Sequence, residues 1–402
     1  MPGADSRVLD WPLARVCPMS PPPALGVVRE GPPTRVRLPA GAGEAQLVWL
    51  ITRHEEVRAA LKDPRLSADE TRPGFPVRFP VPVDDRPSGF LRMDDPEHGR
   101  LRRTVAPEFT VRRVRALRPR VQEVTDQVAD ALASGPQPAD LVRDFATKVS
   151  ALVIARLLGI PDEHTAFFLE QTQIMLADGD PALSLAAHHR IIAFLDETAR
   201  AKESDPGDDL VSRLVHQHVI TGDLDRADLL GVLKLLLVAG HESTATQIAV
   251  SASSLLTDDR LRAEVLAGSG ALLPGFVEES MRFWSIVQDG VVRQATEDLR
   301  IGETLVREGE SVMISLLAAN HDPAVFPDPG RLDIHRDASG HLLWGHGAHF
   351  CLGASLGRLE VTLALGSLFT RLPTLRLACE PSRLRFREHP VFHCLAELPV
   401  AW

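Results

Sequence analysis

No tyrosine occurs anywhere in the 402 residues, which excludes a phenolic side chain from every catalytic role. Cysteine is scarce: Cys17, Cys351, Cys379 and Cys394 have no C-x-x-C spacing among them. That fits a reducing compartment and excludes a disulfide framework. No uninterrupted apolar run reaches the roughly 18 residues that a membrane-spanning helix requires. The opening MPGADSRVLDWPLARVCP has no apolar core of signal-peptide length. Basic residues are outnumbered, 44 Lys and Arg against 54 Asp and Glu, a net charge of -10. Neither nucleic acid nor an anionic membrane is therefore an expected partner of the molecule as a whole. Together these absences predict a soluble cytoplasmic protein, most simply a monomer.

What is present suffices for a large core, with 44% hydrophobic residues. No fixed-period repeat, long linker or composition break divides the chain, so residues 1–402 are expected to form a single domain. Short alternating stretches such as TRVRLPAG and AQLVWLIT in the first hundred residues predict a small sheet. The segment TRPGFPVRFPVPVDDRP reads as an irregular surface loop, because proline blocks both helix and central strand. From about residue 98 to 285 apolar residues recur at three- and four-residue spacing, which predicts a succession of helices. Strands return around 291 to 315. The expected fold class is mainly α with a minor β-sheet region.

The stretch richest in chemistry is WGHGAHFCLG, residues 344–353. Gly345, Gly347 and Gly353 surround Cys351, and glycine permits positive φ and close approach of backbone to a flat or bulky ligand. The run ASLGRLEVTLALGSLF that follows is helical in pattern, which puts Cys351 at or just before a helix amino terminus. Amide donors and the helix dipole there favour the thiolate, a nucleophile or metal ligand. On these residues alone two other readings stay open. The cysteine can be a small buried hydrophobe, or His341, His346, His349 and Cys351 can form a zinc cluster, although zinc ligands usually come as two spaced pairs.

LLLVAGHESTA, residues 235–245, lies inside an apolar run from about Leu229 to Leu256. As a helix rising about 1.5 Å per residue, that run is long enough to cross the whole molecule. Within it Gly240, Glu242, Ser243 and Thr244 break local rules together. An unpaired buried carboxylate is costly, and mid-helix glycine loses about 1 kcal/mol against alanine. Joint violations point to a site; the plainer alternative is a polar seam between packed helices. In VEESMRFW (277–284), Glu279 and Arg282 share a helix face. DDPEHGRLRR (94–103) opens a helix with His98 and Arg102 on one face, and Arg293 follows a strand-like pair in VVRQATED (291–298).

In this order the five stretches resemble the cytochrome P-450 family of haem-thiolate monooxygenases, in its soluble bacterial form. WGHGAHFCLG matches the family signature Phe-Gly-x-Gly-x-His-x-Cys-x-Gly, with Trp344 replacing the phenylalanine and adding an indole donor near the sulfur. The resemblance implies a triangular prism of helices around one protohaem (haem b), with Cys351 as proximal iron ligand. That such a thiolate favours O–O cleavage is a general property of the family, not a deduction from this chain. The resemblance also implies that Glu242 and Ser243 form an acid–alcohol pair delivering protons to dioxygen. Serine stands where threonine is commoner, and lacks the methyl that limits its rotamers. Gly240 would let the helix widen there. His98, Arg102, Arg293 and His349 would hold the two propionates, a task suited to guanidinium forks. Trp344 and Phe350 would border the cofactor, and the Glu279–Arg282 pair would be structural.

Such an enzyme oxidises a mid-sized organic substrate, expected here to belong to secondary metabolism. The sequence carries no flavin or iron–sulfur module, so a ferredoxin and its reductase would supply electrons. Between residues 100 and 120 eight arginines face one acidic residue, Glu108, a patch that would steer an acidic carrier. The family's substrate-facing segments match the loop 67–93, the 170–190 helix–loop–helix, the distal helix around Val238 and the stretch 285–292, with Phe75, Phe79, Met175, Leu176, Ser285 and Gln288 as further candidates within them. Two other functions stay open. The same haem chemistry can drive oxidative C–C or C–N coupling without oxygen insertion. A haem-binding sensor without turnover is the other, though it would need no acid–alcohol pair.

Overall fold

The computed structural model describes residues 8–39, 45–76, 89–177, 180–267, 270–387, 389 and 391–402. Six helices position the site: α1 (Glu97–Val105), α2 (Val111–Ala133), α3 (Thr147–Leu158), α4 (Arg226–Thr257), α5 (Leu273–Trp284) and α6 (Ala354–Arg371). The Asp225 side chain accepts from the Asp228 amide at 2.7 Å and starts α4. The 32 residues of α4 span about 48 Å at 1.5 Å each. It is buried on nearly every side, so its sequence reads as an apolar run rather than a stripe. α4 packs on α3, while α6 packs on α2 and α5.

A six-stranded sheet flanks the helices: β1 (Leu9–Asp10), β2 (Thr34–Leu38), β3 (Gln46–Ile51), β4 (Leu66–Ser67), β5 (Val291–Ala295) and β6 (Ser311–Ile314). Their spatial order is β1-β2-β3-β6-β5-β4, with β3 and β6 parallel. Arg293 pairs with Val312 across β5 and β6. Alternation along the strand puts Arg293 and Val291 on one face. The mainly helical fold with a minor sheet therefore stands as expected.

Glu279 and Arg282 are both fully buried and joined by two bonds of 2.7 Å. Arg282 also donates to the carbonyls of Asn320, Pro329 and Arg331, and Glu279 accepts from the Asp333 amide at 2.9 Å. The pair thus ties α5 to the irregular segment that leads into the cysteine loop, with every donor directed at a carbonyl or carboxylate. Among the described residues no helix is long and apolar enough to cross a membrane.

Candidate active site

The cysteine loop turns on two glycines, Gly345 at φ 70° and Gly347 at φ 76°. A side chain at position 347 would also meet the Leu61 carbonyl at 2.8 Å. The Cys351 amide donates to the Trp344 carbonyl at 2.8 Å, closing the loop three residues ahead of α6. Burial pushes the Cys351 thiol up, outweighing the Gly353 amide and the Arg102 and Arg358 guanidiniums that pull it down. The helix terminus therefore does not stabilise a bare thiolate as the sequence predicts. A cation bonded to the sulfur would offset that burial.

Beside the sulfur lies a space of two lobes, about 240 and 290 Å³. Both are bordered by Leu91, Ser243, Thr244, Trp344, His349 and Cys351. The α4 wall consists of Leu235, Ala239 and Ser243, four residues apart, together with Leu236, Gly240 and Thr244. Ser243 Oγ donates to the Ala239 carbonyl at 2.8 Å and Thr244 Oγ1 to the Gly240 carbonyl at 3.2 Å. At Gly240 a Cβ would stand 2.9 Å from Ile154 Cδ1. The glycine therefore admits α3, and α4 stays helical through this point rather than opening.

One end of the space is cationic. The rings of His98 and His349 lie 4.1 Å apart between Arg102 and Arg293. Burial, then Arg293, His98 and Arg102, push His349 down to about 3. Burial, then Arg92, pushes Arg293 down to about 10. Arg102 donates to the Phe350 carbonyl at 2.5 Å, and His98 Nδ1 lies 3.3 Å from Asp95 Oδ1. Two guanidiniums lowered by burial, beside two imidazoles kept neutral, would be favoured by an anion placed among them. Three buried polar atoms on residues bordering the space, Gln247 Oε1, Trp344 Nε1 and Glu360 Oε1, have no partner, and neither has His98 Nε2 beside His349. A flat group with an apolar face, two carboxylates and a sulfur-bonded metal fits this combination.

Several predicted residues lie elsewhere. Glu242 turns away from Cys351 into a separate cavity of about 440 Å³, where it meets Arg387 and His389. Phe350 is 41% exposed and faces outward rather than bordering a cofactor. Phe75 is buried among Val292 and Met313 beneath the sheet. Ser285 is fully buried, donating to the Arg282 carbonyl and accepting from Asn320. Gln288 bonds the carbonyls of His389 and Phe392. Met175 and Leu176 end the helix Thr165–Leu176, and they and Val238 do not border the space beside Cys351. Phe79 is outside the described residues. No group of three or more metal-binding side chains gathers among the described residues, and His341 pairs with Glu278 at 3.2 Å, so the zinc cluster does not form.

Leu91 and Val287 fall within the predicted segments 67–93 and 285–292 without having been singled out, while Leu235, Ala239 and Val391 were missed. Counting back from Ser243 in fours would have found Ala239 and Leu235; Val238 fails because it lies one residue, about 100°, off that face. Val391 arrives from the far end of the chain, and no local signal marks it.

A helical prism with a cysteine loop beneath its longest helix and a cationic end defines a haem-thiolate protein. The sequence profile described as Cytochrome P450 matches residues 160–373. Cytochrome P450-SU2 of Streptomyces griseolus is 42% identical, over 99% of this chain and 98% of its own. Pentalenic acid synthase of Streptomyces avermitilis is 40% identical, again over 99% and 98%. The crystal structure of a mycinamicin VIII C21 methyl hydroxylase from Micromonospora griseorubida matches with TM-score 0.91 and 36% identity, covering 98% of this chain and 100% of that one. The chain belongs to the cytochrome P450 family. It is a monooxygenase of the bacterial secondary-metabolism kind, and its cofactor is a cysteine-ligated protohaem.

Proposed function

We propose that the 402 residues work as one domain that hydroxylates a mid-sized, largely apolar natural product, with Cys351 as the iron ligand. The observation that carries this assignment is the placement of Cys351 and the Ser243 and Thr244 hydroxyls around one space. His98, Arg102, Arg293 and His349 would take the propionates. Bound haem supplies reductive activation of dioxygen; the chain supplies orientation, a dry pocket and protons. Ser243 and Thr244 hold hydroxyls at the α4 wall. Glu242, one residue along, faces the polar cavity and would join a proton route to that wall only on leaving Arg387 and His389. Leu91, Leu235, Ala239, Val287 and Val391 favour an apolar substrate face. Hydroxylation is preferred to coupling because the relatives include a methyl hydroxylase. Electrons would come from an acidic ferredoxin with its reductase, and the enzyme would work as a cytoplasmic monomer.

The absorption spectrum of the reduced, carbon monoxide-bound protein tests the ligand. A strongly red-shifted Soret band lost in Cys351→Ala is expected; a histidine-type band, or a band that survives the substitution, would overturn it. Incorporation of one oxygen atom into product, read by mass, tests hydroxylation against coupling.

A further inference from the structure

Trp344 occupies the one position where the cysteine signature departs from the family pattern, and its surroundings are built for an indole. A Cβ on Gly357 would lie 2.9 Å from Trp344 Cη2, so the missing side chain on α6 makes room for the ring. The Arg358 guanidinium sits 5.0 Å over the same ring and is anchored to Glu278 by bonds of 2.5 and 3.2 Å. The Trp344 carbonyl accepts the Cys351 amide at 2.8 Å. With Gly357 at its edge and Arg358 over its face, the ring borders both lobes beside the cysteine, yet its Nε1–H is buried and has no acceptor. Leaving a buried donor unpaired is costly. A site so specifically shaped for this ring would not be expected to carry that penalty in the loaded protein.

We propose that Trp344 is a positioning residue for Cys351: its indole N–H donates to the cysteine sulfur once that sulfur bonds iron, and thereby restrains electron donation to the metal. This rests on the haem-thiolate reading above. Indole is a donor only, and the sulfur is the atom in this loop that gains negative charge when the metal is bound. Donation to an anion is stronger than to a neutral acceptor. Hydrogen bonds around a ligating sulfur are one of the levers by which a protein sets a metal's potential. The Arg358 cation polarises the ring from its face and makes the N–H a better donor. Of the other unpartnered groups bordering the space, Gln247 is a neutral amide, and Glu360, a turn further along α6, is raised by burial well above the usual carboxylate range and stays protonated, so neither offers an anion.

The test uses the haem-loaded full chain. Trp344→Phe restores the residue commoner in the family, keeps an aromatic face and removes the N–H. Its one-electron reduction equilibrium should fall about tenfold, equivalent to about 59 mV towards the negative. Its iron–sulfur stretching frequency should rise, with the carbon monoxide band still of thiolate type. Arg358→Gln should shift both readouts the same way, and by less in the Trp344→Phe background than in the wild type. An unchanged potential and stretching frequency in Trp344→Phe would overturn the proposal. So would an Arg358→Gln shift of equal size in both backgrounds, or a Trp344→Phe protein that no longer takes up haem. A wild-type protein without a thiolate band would instead remove the cofactor reading itself.

Discussion

The Glu242 carboxylate is bonded by Arg387, with His389 Nε2 3.3 Å away, on the flank of α4 turned away from Cys351. Arg387 Nε also reaches Cys394 Sγ at 2.9 Å. Adjacent residues of one helix thus face two cavities: Ser243 the cysteine, Glu242 a polar chamber. Burial would raise the Glu242 carboxyl, but the His389 hydrogen bond and the charges of His389, Arg387 and His241 prevail and hold it at about 2.

That direction fixes a pH dependence. A carboxyl depressed from about 4.3 contributes stability that is complete above pH about 4.3 and is lost as pH falls through about 2. Arg387→Met removes part of the opposing charge while His389 remains, so burial gains weight and the carboxyl titrates higher. The variant should lose less at neutral pH than the roughly 3–5 kcal/mol of a fully buried pair, because Arg387 is 37% exposed and partly screened by solvent, and begin acid unfolding at a higher pH than the wild type. Denaturant titrations at pH 7 and circular dichroism across pH 2–6 measure both. Coincident acid transitions would show that Arg387 does not hold Glu242.

Ser243 and Thr244 both border the cysteine lobes, and both close onto carbonyls one turn back in α4. A hydroxyl at the reacting wall must hold a donated proton, a contribution of about 10²–10⁴-fold where proton transfer limits the rate. Ser243→Ala should cut product formed per electron consumed by at least tenfold, with the balance leaving as hydrogen peroxide. Thr244→Ala should lose less, and the double variant more than either. Product and peroxide counted against NADPH consumption decide it, and full coupling in the double variant would remove the hydroxyls from proton delivery.

The legible part of the site was the part encoded within single elements. The cysteine loop stood out through its own spacing, whereas the cations on α1 and β5 and the Glu279–Arg282 pair were weak signals singly and were read through their order along the chain, which resembles the family's. Glu242 was legible as an anomaly but not in its direction, because which flank of α4 meets which cavity depends on the packing of α3 and of the C-terminal strands. Its partners Arg387 and His389 lie some 145 residues away and carry no local signature. The substrate wall was read poorly for the same reason. Ser285 and Gln288 look like polar pocket residues in sequence, yet each is consumed by a distant backbone or side-chain partner. Gly240 was read as an opening for oxygen; it does border the space beside Cys351, but α4 stays helical there and Ile154 packs against the glycine.

That packing is testable in stability alone. Gly240→Ala brings a methyl to within 2.9 Å of Ile154 Cδ1 and 3.1 Å of its Cγ1. Overpacking of this kind typically costs about 1–3 kcal/mol, less the helix propensity gained by alanine, about 1 kcal/mol. Ile154→Val removes Cδ1 and should recover much of the loss, so the pair should be non-additive in a double-mutant cycle. Strict additivity in urea unfolding would place the strain elsewhere.

The arginine-rich stretch is less uniform than its sequence suggests, which sharpens where an electron donor should dock. Arg100 is bonded to Asp228 at 2.5 Å, Arg120 to Asp208 at 2.8 Å, and Arg113 to Glu108 at 3.2 Å. Their charge is largely spent inside the molecule. Arg112, Arg115 and Arg118 are exposed on α2, which packs along α6, the helix that follows Cys351. Steering by such cations accelerates encounter with an acidic protein and weakens as salt rises. Arg112→Glu should therefore slow reduction by an acidic ferredoxin about tenfold at low ionic strength and flatten its salt dependence, with the folded stability unchanged. Arg113→Glu should instead show up first in stability, since it sets a carboxylate against Glu108. Stopped-flow reduction across a salt series separates the two. Equal reduction rates for wild type and Arg112→Glu at every ionic strength would move the docking surface off α2.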